Sequence, residues 1–141
     1  MITPQQKELV KKTWVMVVPI ADTAAELFYG RLFELEPEYR PMFKNDMTEQ
    51  GRKLMKTINI AVEALDNLEP LIPVLKKMGA DHVGYGVKDR DYNVVGASLL
   101  WTLEKGLGDV FTDEVRNAWG AVYEVLASVM KEGAAEAEKA A

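Results

Sequence analysis

The stretch that decides the fold is LIPVLKKMGADHVGY, residues 71–85. Leu71, Val74, Leu75, Met78, His82 and Tyr85 recur at three- and four-residue steps, the period of a helix with one buried stripe. His82 stands inside that stripe and is the single histidine of the chain. Two roles are open to an imidazole so placed. It can be a core residue satisfied by one hydrogen-bond partner, or it can be the ligand of a buried metal.

Working outward toward the C-terminus, Gly84 and Gly86 can adopt the left-handed conformation that ends a helix. Lys88-Asp89-Arg90-Asp91 opens the next helix, with acids near its positive end. Its apolar face is Tyr92, Val95, Leu99, Leu103 and Leu107, and Gly108 stops it. Thr112-Asp113-Glu114 caps a last helix on which Val115, Ala118, Trp119, Val122, Tyr123, Leu126, Val129 and Met130 keep the period. Residues 133–141, GAAEAEKAA, are polar and alanine-rich and are expected to fray, leaving 1–132 as the folded domain.

Toward the N-terminus, residues 66–70 are a connector ending in Pro70, and a helix is expected from about Thr48. On it Gln50, Leu54, Thr57, Ile58, Ala61 and Leu65 share a stripe. A glutamine in that line is a local inconsistency. Either it sits at an exposed helix end, or it faces a cavity that holds a polar guest. The first helix starts with Thr3 as cap, Pro4 at the first position and Gln6 completing a capping box. Leu9, Val10, Thr13, Trp14 and Val17 form its face, and Pro19 closes or bends it. A second helix is expected over about 20–35. It carries Ala24, Leu27, Phe28, Leu32 and Leu35 on one side and Ala25, Tyr29 and Phe33 beside them. Gly30 costs about 1 kcal/mol relative to alanine there, and close contact with another helix is one use for it. Glu36-Pro37-Glu38 starts a short turn that leads to Tyr39, Met42 and Phe43. No stretch alternates in the manner of a strand, so the expected class is all-α.

Composition narrows the function. A chain of 141 residues with 48% hydrophobic and 28% charged residues suits one domain with a substantial core. A net charge of −5 argues against a general nucleic-acid binder, which needs a basic face for phosphates. The chain has no cysteine, which removes disulfides, thiol catalysis, iron–sulfur clusters and cysteine zinc sites. That usage fits a reducing cytoplasm, the expected location. The longest apolar run, Trp14 to Ala21, is broken by Pro19 and falls far short of the roughly 20 residues of a spanning helix, so no membrane is expected. MITPQQKELVKK has no apolar signal core, and export is not expected.

The motifs of common enzymes are missing: no GxxxxGK[ST], no GxGxxG, no GxSxG. One histidine cannot build an HExxH zinc site, and carboxylate pairs such as Glu34 with Glu36 lie in segments that read as solvated surface. One metal chemistry does suit a lone imidazole. Haem iron takes four nitrogens from the porphyrin and needs one axial ligand from the protein, leaving its other face for a small gas.

The segments LFYGRLF (27–33), PEYRPMF (37–43), QGRKLM (50–55) and the long run 71–130 carry a resemblance. The chain resembles the bacterial single-domain globins, and is similar to the Vitreoscilla-type haemoglobins and to the globin part of flavohaemoglobins. The resemblance spans roughly Thr3 to Met130. It is strongest at Pro41 with Phe43, at His82 followed by Val87, and over Ala118 to Tyr123. It implies the globin fold, roughly six to eight helices in a three-over-three sandwich, around haem b (iron protoporphyrin IX). It further implies that His82 is the proximal iron ligand and that Phe43 stacks on the porphyrin. Tyr29 and Gln50 become the distal polar pair, walled by Leu54. Lys53, Thr57 and Ile58 join the cofactor-binding residues of the same helix, with Lys53 or Arg52 either pairing with propionates or remaining surface cations. Val87, Tyr92 and Val95 line the proximal side, Trp119 and Tyr123 come from the last helix, and the Met78 carbonyl accepts from His82. Phe43, Leu54, Val87 and Val95 can equally be read as core filling.

Two departures from the flavohaemoglobin pattern stand out. The glutamate expected in the last helix behind the iron is replaced by Ala134, with Glu132 off register. No flavin or nicotinamide segment follows, so no built-in reductase is expected. The resemblance therefore implies a globin that binds dioxygen reversibly, as a carrier or store of high affinity, and as monomer or homodimer. The alternative is nitric oxide dioxygenation with a separate reductase. A gas sensor would need an output domain, and a haem-free helical domain would leave His82 as mere packing.

Overall fold

Thr3 accepts from the Gln6 backbone N–H at 3.1 Å and the Gln6 side chain accepts from Thr3 N at 3.0 Å, so the first helix begins with the expected capping box. The structure is a computed structural model that describes residues 2–43, 46–84 and 87–140. Its helices are α1 (Pro4–Val17), α2 (Ala21–Leu35), α3 (Met47–Glu63), α4 (Ile72–Gly84), α5 (Asp89–Leu107) and α6 (Asp113–Ala140). Four short 3-10 segments join them, at Val18–Ile20, Pro37–Met42, Glu69–Leu71 and Gly108–Val110. Pro19, Pro37 and Pro70 fall in three of these, where a missing N–H costs no helical bond. Gly108 closes α5 with φ +57°, a conformation that favours glycine. Among the described residues there is no strand.

The core forms where α1, α2, α5 and α6 meet. Val10, Trp14, Val17, Ala24, Phe28, Leu32, Leu99, Leu103, Val115, Ala118, Trp119 and Val122 are buried together. Polar groups inside it are paired, as burial demands. Trp119 Nε1 donates to Thr13 Oγ1 at 2.9 Å, Thr13 donates to the Leu9 carbonyl at 2.7 Å, and Ser98 donates to the Phe28 carbonyl at 2.7 Å. Trp14 Nε1 donates to Asn59 Oδ1 at 2.8 Å, which ties α1 to α3.

Three expectations are corrected. Val74 is 52% exposed, because α4 turns Leu75, Met78 and Gly79 inward and Val74 lies one step around the helix. Leu35 is 39% exposed at the last residue of α2, beyond the reach of the core. Gly30 is exposed with nothing near its missing side chain, and Gly51, Gly79, Gly96 and Gly133 make the close approaches instead. Residues 133–140 continue α6, with Gly133 buried against α4. Tyr85 and Gly86 lie outside the described residues.

Candidate functional site

Among the described residues, α2 packs on α3 and α4 packs most extensively on α6, while α4 has no extensive contact with α2 or α3. Between those pairs lies a cavity of about 340 Å³ with a largely apolar lining. Its size falls within the range of small-molecule sites.

All the residues predicted from the sequence meet around this cavity. His82 and Met78 reach it from α4, and Tyr29 from α2. Gln50, Lys53, Leu54, Thr57 and Ile58 come from α3, Phe43 from the end of the 37–42 segment, and Val87 from just before α5. Tyr92 and Val95 come from α5, and Trp119 and Tyr123 from α6. Arg52 is exposed and does not line the cavity, whereas Lys53 is exposed and does. Glu132 is exposed and adds to the field that raises the Lys76 pKa, after the Glu136 partner.

His82 is half-buried, and its Nδ1 lies 2.5 Å from the Met78 carbonyl oxygen. A carbonyl can only accept, so Nδ1 carries the proton and Nε2 keeps the lone pair a metal needs. Among the described residues no three His, Cys, Asp or Glu side chains cluster to hold a bare ion. One imidazole on the wall of an apolar slot fits a metal that brings its own macrocycle, which is the donor set haem requires.

Tyr29 is 7% exposed, and its pKa is raised by burial, opposed by a side-chain hydrogen bond with Gln50. The phenol therefore keeps its proton and remains a donor. Its ring is fixed edge-on by Phe28 (5.0 Å between centroids) and Phe43 (5.4 Å), with Phe33 stacked at 6.1 Å. Gly51 lets α3 come close: a Cβ there would stand 2.8 Å from the Ala25 Cβ. On the other side Tyr123 donates to the Tyr92 carbonyl at 2.6 Å, and burial raises the Tyr123 pKa. Gly96 leaves room for the Tyr123 ring, since a Cβ there would lie 2.8 Å from Cε2.

Sequence reasoning missed the rim contact between Tyr39 and Asp91. The Tyr39 hydroxyl donates to Asp91 Oδ1, while Asp91 Oδ2 accepts from Lys88 N at 2.8 Å. Both residues line the cavity, and they tie the segment before Phe43 to the first turn of α5. Asp91 was legible only as an acid near a helix start. Its distant partner, 52 residues away, left no sequence signal. Leu75, Leu126, Ala127 and Met130 also line the cavity. The helical period of Leu75, Leu126 and Met130 had shown that they face inward but not that they face a hole, and Ala127 was not on the predicted stripe.

A six-helix fold around an apolar slot with one imidazole on its wall defines a haem protein of the globin class. The globin family profile matches residues 26–130, and the chain belongs to the globin family. It is 32% identical to a flavohemoprotein of Halalkalibacterium halodurans over 131 residues, covering 91% of this chain but only 32% of that protein. A bacterial globin from Campylobacter jejuni matches with a TM-score of 0.85 and 26% identity, over 97% of this chain and 99% of that one. An engineered carbene transferase, made from a candidate nitric oxide dioxygenase of Rhodothermus marinus, has the same fold: TM-score 0.90, 23% identity, 99% and 98% covered.

Proposed function

We propose that the protein binds haem b through His82 and holds dioxygen reversibly on the side of Tyr29 and Gln50. The observation that carries this reading is the division of one apolar slot, with a tautomer-fixed imidazole from α4 on one side and a tyrosine and a glutamine from α2 and α3 on the other. His82 would hold the haem, which would supply a ferrous iron able to take up a diatomic gas.

The chain's residues do the rest. The Met78 carbonyl holds the His82 proton on Nδ1 and orients the ring. Tyr29, kept protonated by burial, offers its hydroxyl to a guest that carries partial negative charge. The Gln50 amide holds that hydroxyl in place and offers a second donor. Phe28, Leu32, Leu54 and Ile58 keep water away from the pair, which strengthens each bond. Two bonds of about 1 kcal/mol net each, or somewhat more in a dry site, slow release by about ten- to a hundredfold. The protein is then a cytoplasmic carrier or store of high affinity.

A second reading, nitric oxide dioxygenation served by a separate reductase, draws on the flavohemoprotein relative and on the neighbour made from a candidate nitric oxide dioxygenase. Against it, Ala134 stands where the resemblance expects a carboxylate, and Glu132 is exposed. The deciding measurement is the absorption spectrum of purified protein. A Soret band lost in His82→Ala and partly restored by imidazole supports the haem reading; its absence from the wild type overturns it. Nitric oxide consumption under excess oxygen with a generic reductant separates the two activities.

A further inference from the structure

The α4–α6 crossing has a reciprocal geometry. A Cβ on Gly79 would lie 1.8 Å from the Met130 carbonyl oxygen, and a Cβ on Gly133 would lie 2.1 Å from the Lys76 carbonyl oxygen. Each glycine therefore faces the backbone of the residue three positions before the other glycine. Any larger side chain would meet backbone, which cannot rotate away, rather than a flexible side-chain tip. Helices that touch so closely gain weak Cα–H···O contacts and lose freedom to slide. Lys76 and Glu136 add an ion pair at 3.0 Å on the same crossing.

The crossing sits directly behind the site. Gly79 follows Met78, whose carbonyl holds His82 Nδ1, and precedes His82 by three residues. Met130, whose backbone fills the place of the missing Gly79 side chain, also lines the cavity. The depth of α4, and with it the reach of His82 into the slot, is therefore set by how closely α6 can approach.

We propose that Gly79 and Gly133 are positioning residues for His82: the C-terminal part of α6, clamped on α4 through these two glycines, sets the distance and tilt of the imidazole toward the cofactor. The inference rests on the haem reading above. Ala134, beside Gly133, stands where a carboxylate would otherwise brace the proximal side, and close backbone packing supplies the bracing instead.

The test uses the full chain loaded with haem. Gly79→Ala and Gly133→Ala are compared with Gly30→Ala, on an exposed face with open space around it. Resonance Raman of the ferrous, gas-free protein reads the iron–histidine stretch, and transfer to an acceptor apoprotein reads haem loss. The expected result is a displaced stretch and about tenfold faster haem loss in both clamp variants, the low end of what outer-shell partners of a metal ligand contribute, with Gly30→Ala matching the wild type. Should the clamp variants fail to fold, Glu136→Gln, which only weakens the ion pair, is expected to shift the stretch in the same direction. A wild-type stretch and haem-loss rate in the folded clamp variants, or in Glu136→Gln where those do not fold, overturns the proposal. A wild type that takes up no haem overturns the haem reading itself, a different and separately visible failure.

Discussion

Tyr29 and Gln50 stand beside one another across the contact of α2 with α3, at the wall of the cavity that His82 also lines, and the Gln50 side chain opposes the upward push of burial on the Tyr29 pKa. Gln50 adjoins Gly51, where the missing side chain lets α3 lie close to Ala25 of α2. Its placement joins helix packing to the residence time of a gas.

Replacing Tyr29 by Phe removes the hydroxyl and leaves the ring among Phe28, Phe33 and Phe43. The oxygen dissociation rate, measured by stopped flow, is expected to rise about five- to tenfold, the worth of one hydrogen bond in a dry pocket. Gln50→Leu is expected to act in the same direction and less strongly, because Gln50 is half-buried. An unchanged rate in Tyr29→Phe would remove Tyr29 from the gas site.

The Tyr39–Asp91 contact makes a prediction in pH. Burial raises the Asp91 carboxyl pKa, but the Tyr39 hydroxyl, the Lys88 N–H and the Arg90 and Lys88 charges outweigh it and hold the group below its ordinary value of 3.8. A depressed folded-state pKa stabilises the fold above the unfolded value, and that stability is lost as pH falls through the folded one. Asp91→Ala is expected to cost about 1–2 kcal/mol at pH 7. In urea titrations the gap from the wild type should shrink below about pH 4. A gap that stays constant down to pH 3 would contradict it.

Thr13 links Leu9 to Trp119 inside the core. Thr13→Val keeps the shape but strands a buried indole N–H, with an expected loss of about 1–3 kcal/mol. Thr13→Ser keeps the hydroxyl and should cost less. Chemical denaturation of the two variants reads the difference, and equal losses would mean that the hydroxyl carries none of it.

Gly51→Ala places a methyl against Ala25 and is expected to destabilise α2–α3 packing by about 1–3 kcal/mol. Ala25→Gly with Gly51→Ala restores the space, so the double variant should recover part of that loss. A double-mutant cycle measures it, and simple additivity would show that the two helices do not meet there.

Helix positions were readable because they depend on neighbours in the chain. The Thr3 capping box, the prolines at 19, 37 and 70 and the glycine stop at 108 act within a few residues. The stripes on α3 and α5 point inward almost as their period requires. Gln50 stood out because a polar residue in an apolar line needs a polar neighbour, and on the cavity wall it stands with Tyr29. Val74, Leu35 and Gly30 show where period stops informing. A helical stripe is broader than the face a neighbour covers, and the covering helix decides which edge stays dry.

By itself the sequence determined an all-α chain, where most of its helices begin and a single imidazole on an apolar face, together with the resemblance that made haem its expected partner. Only the tertiary structure decided that fourteen predicted site residues surround one cavity, that Tyr39 closes the rim on Asp91, and that residues 133–140 extend α6 onto α4. The physical reason is separation along the chain. Caps and periodicity are local, whereas Gly79 against Met130 and Tyr39 against Asp91 join segments 51 and 52 residues apart. No pattern in either segment names the other until the helices pack.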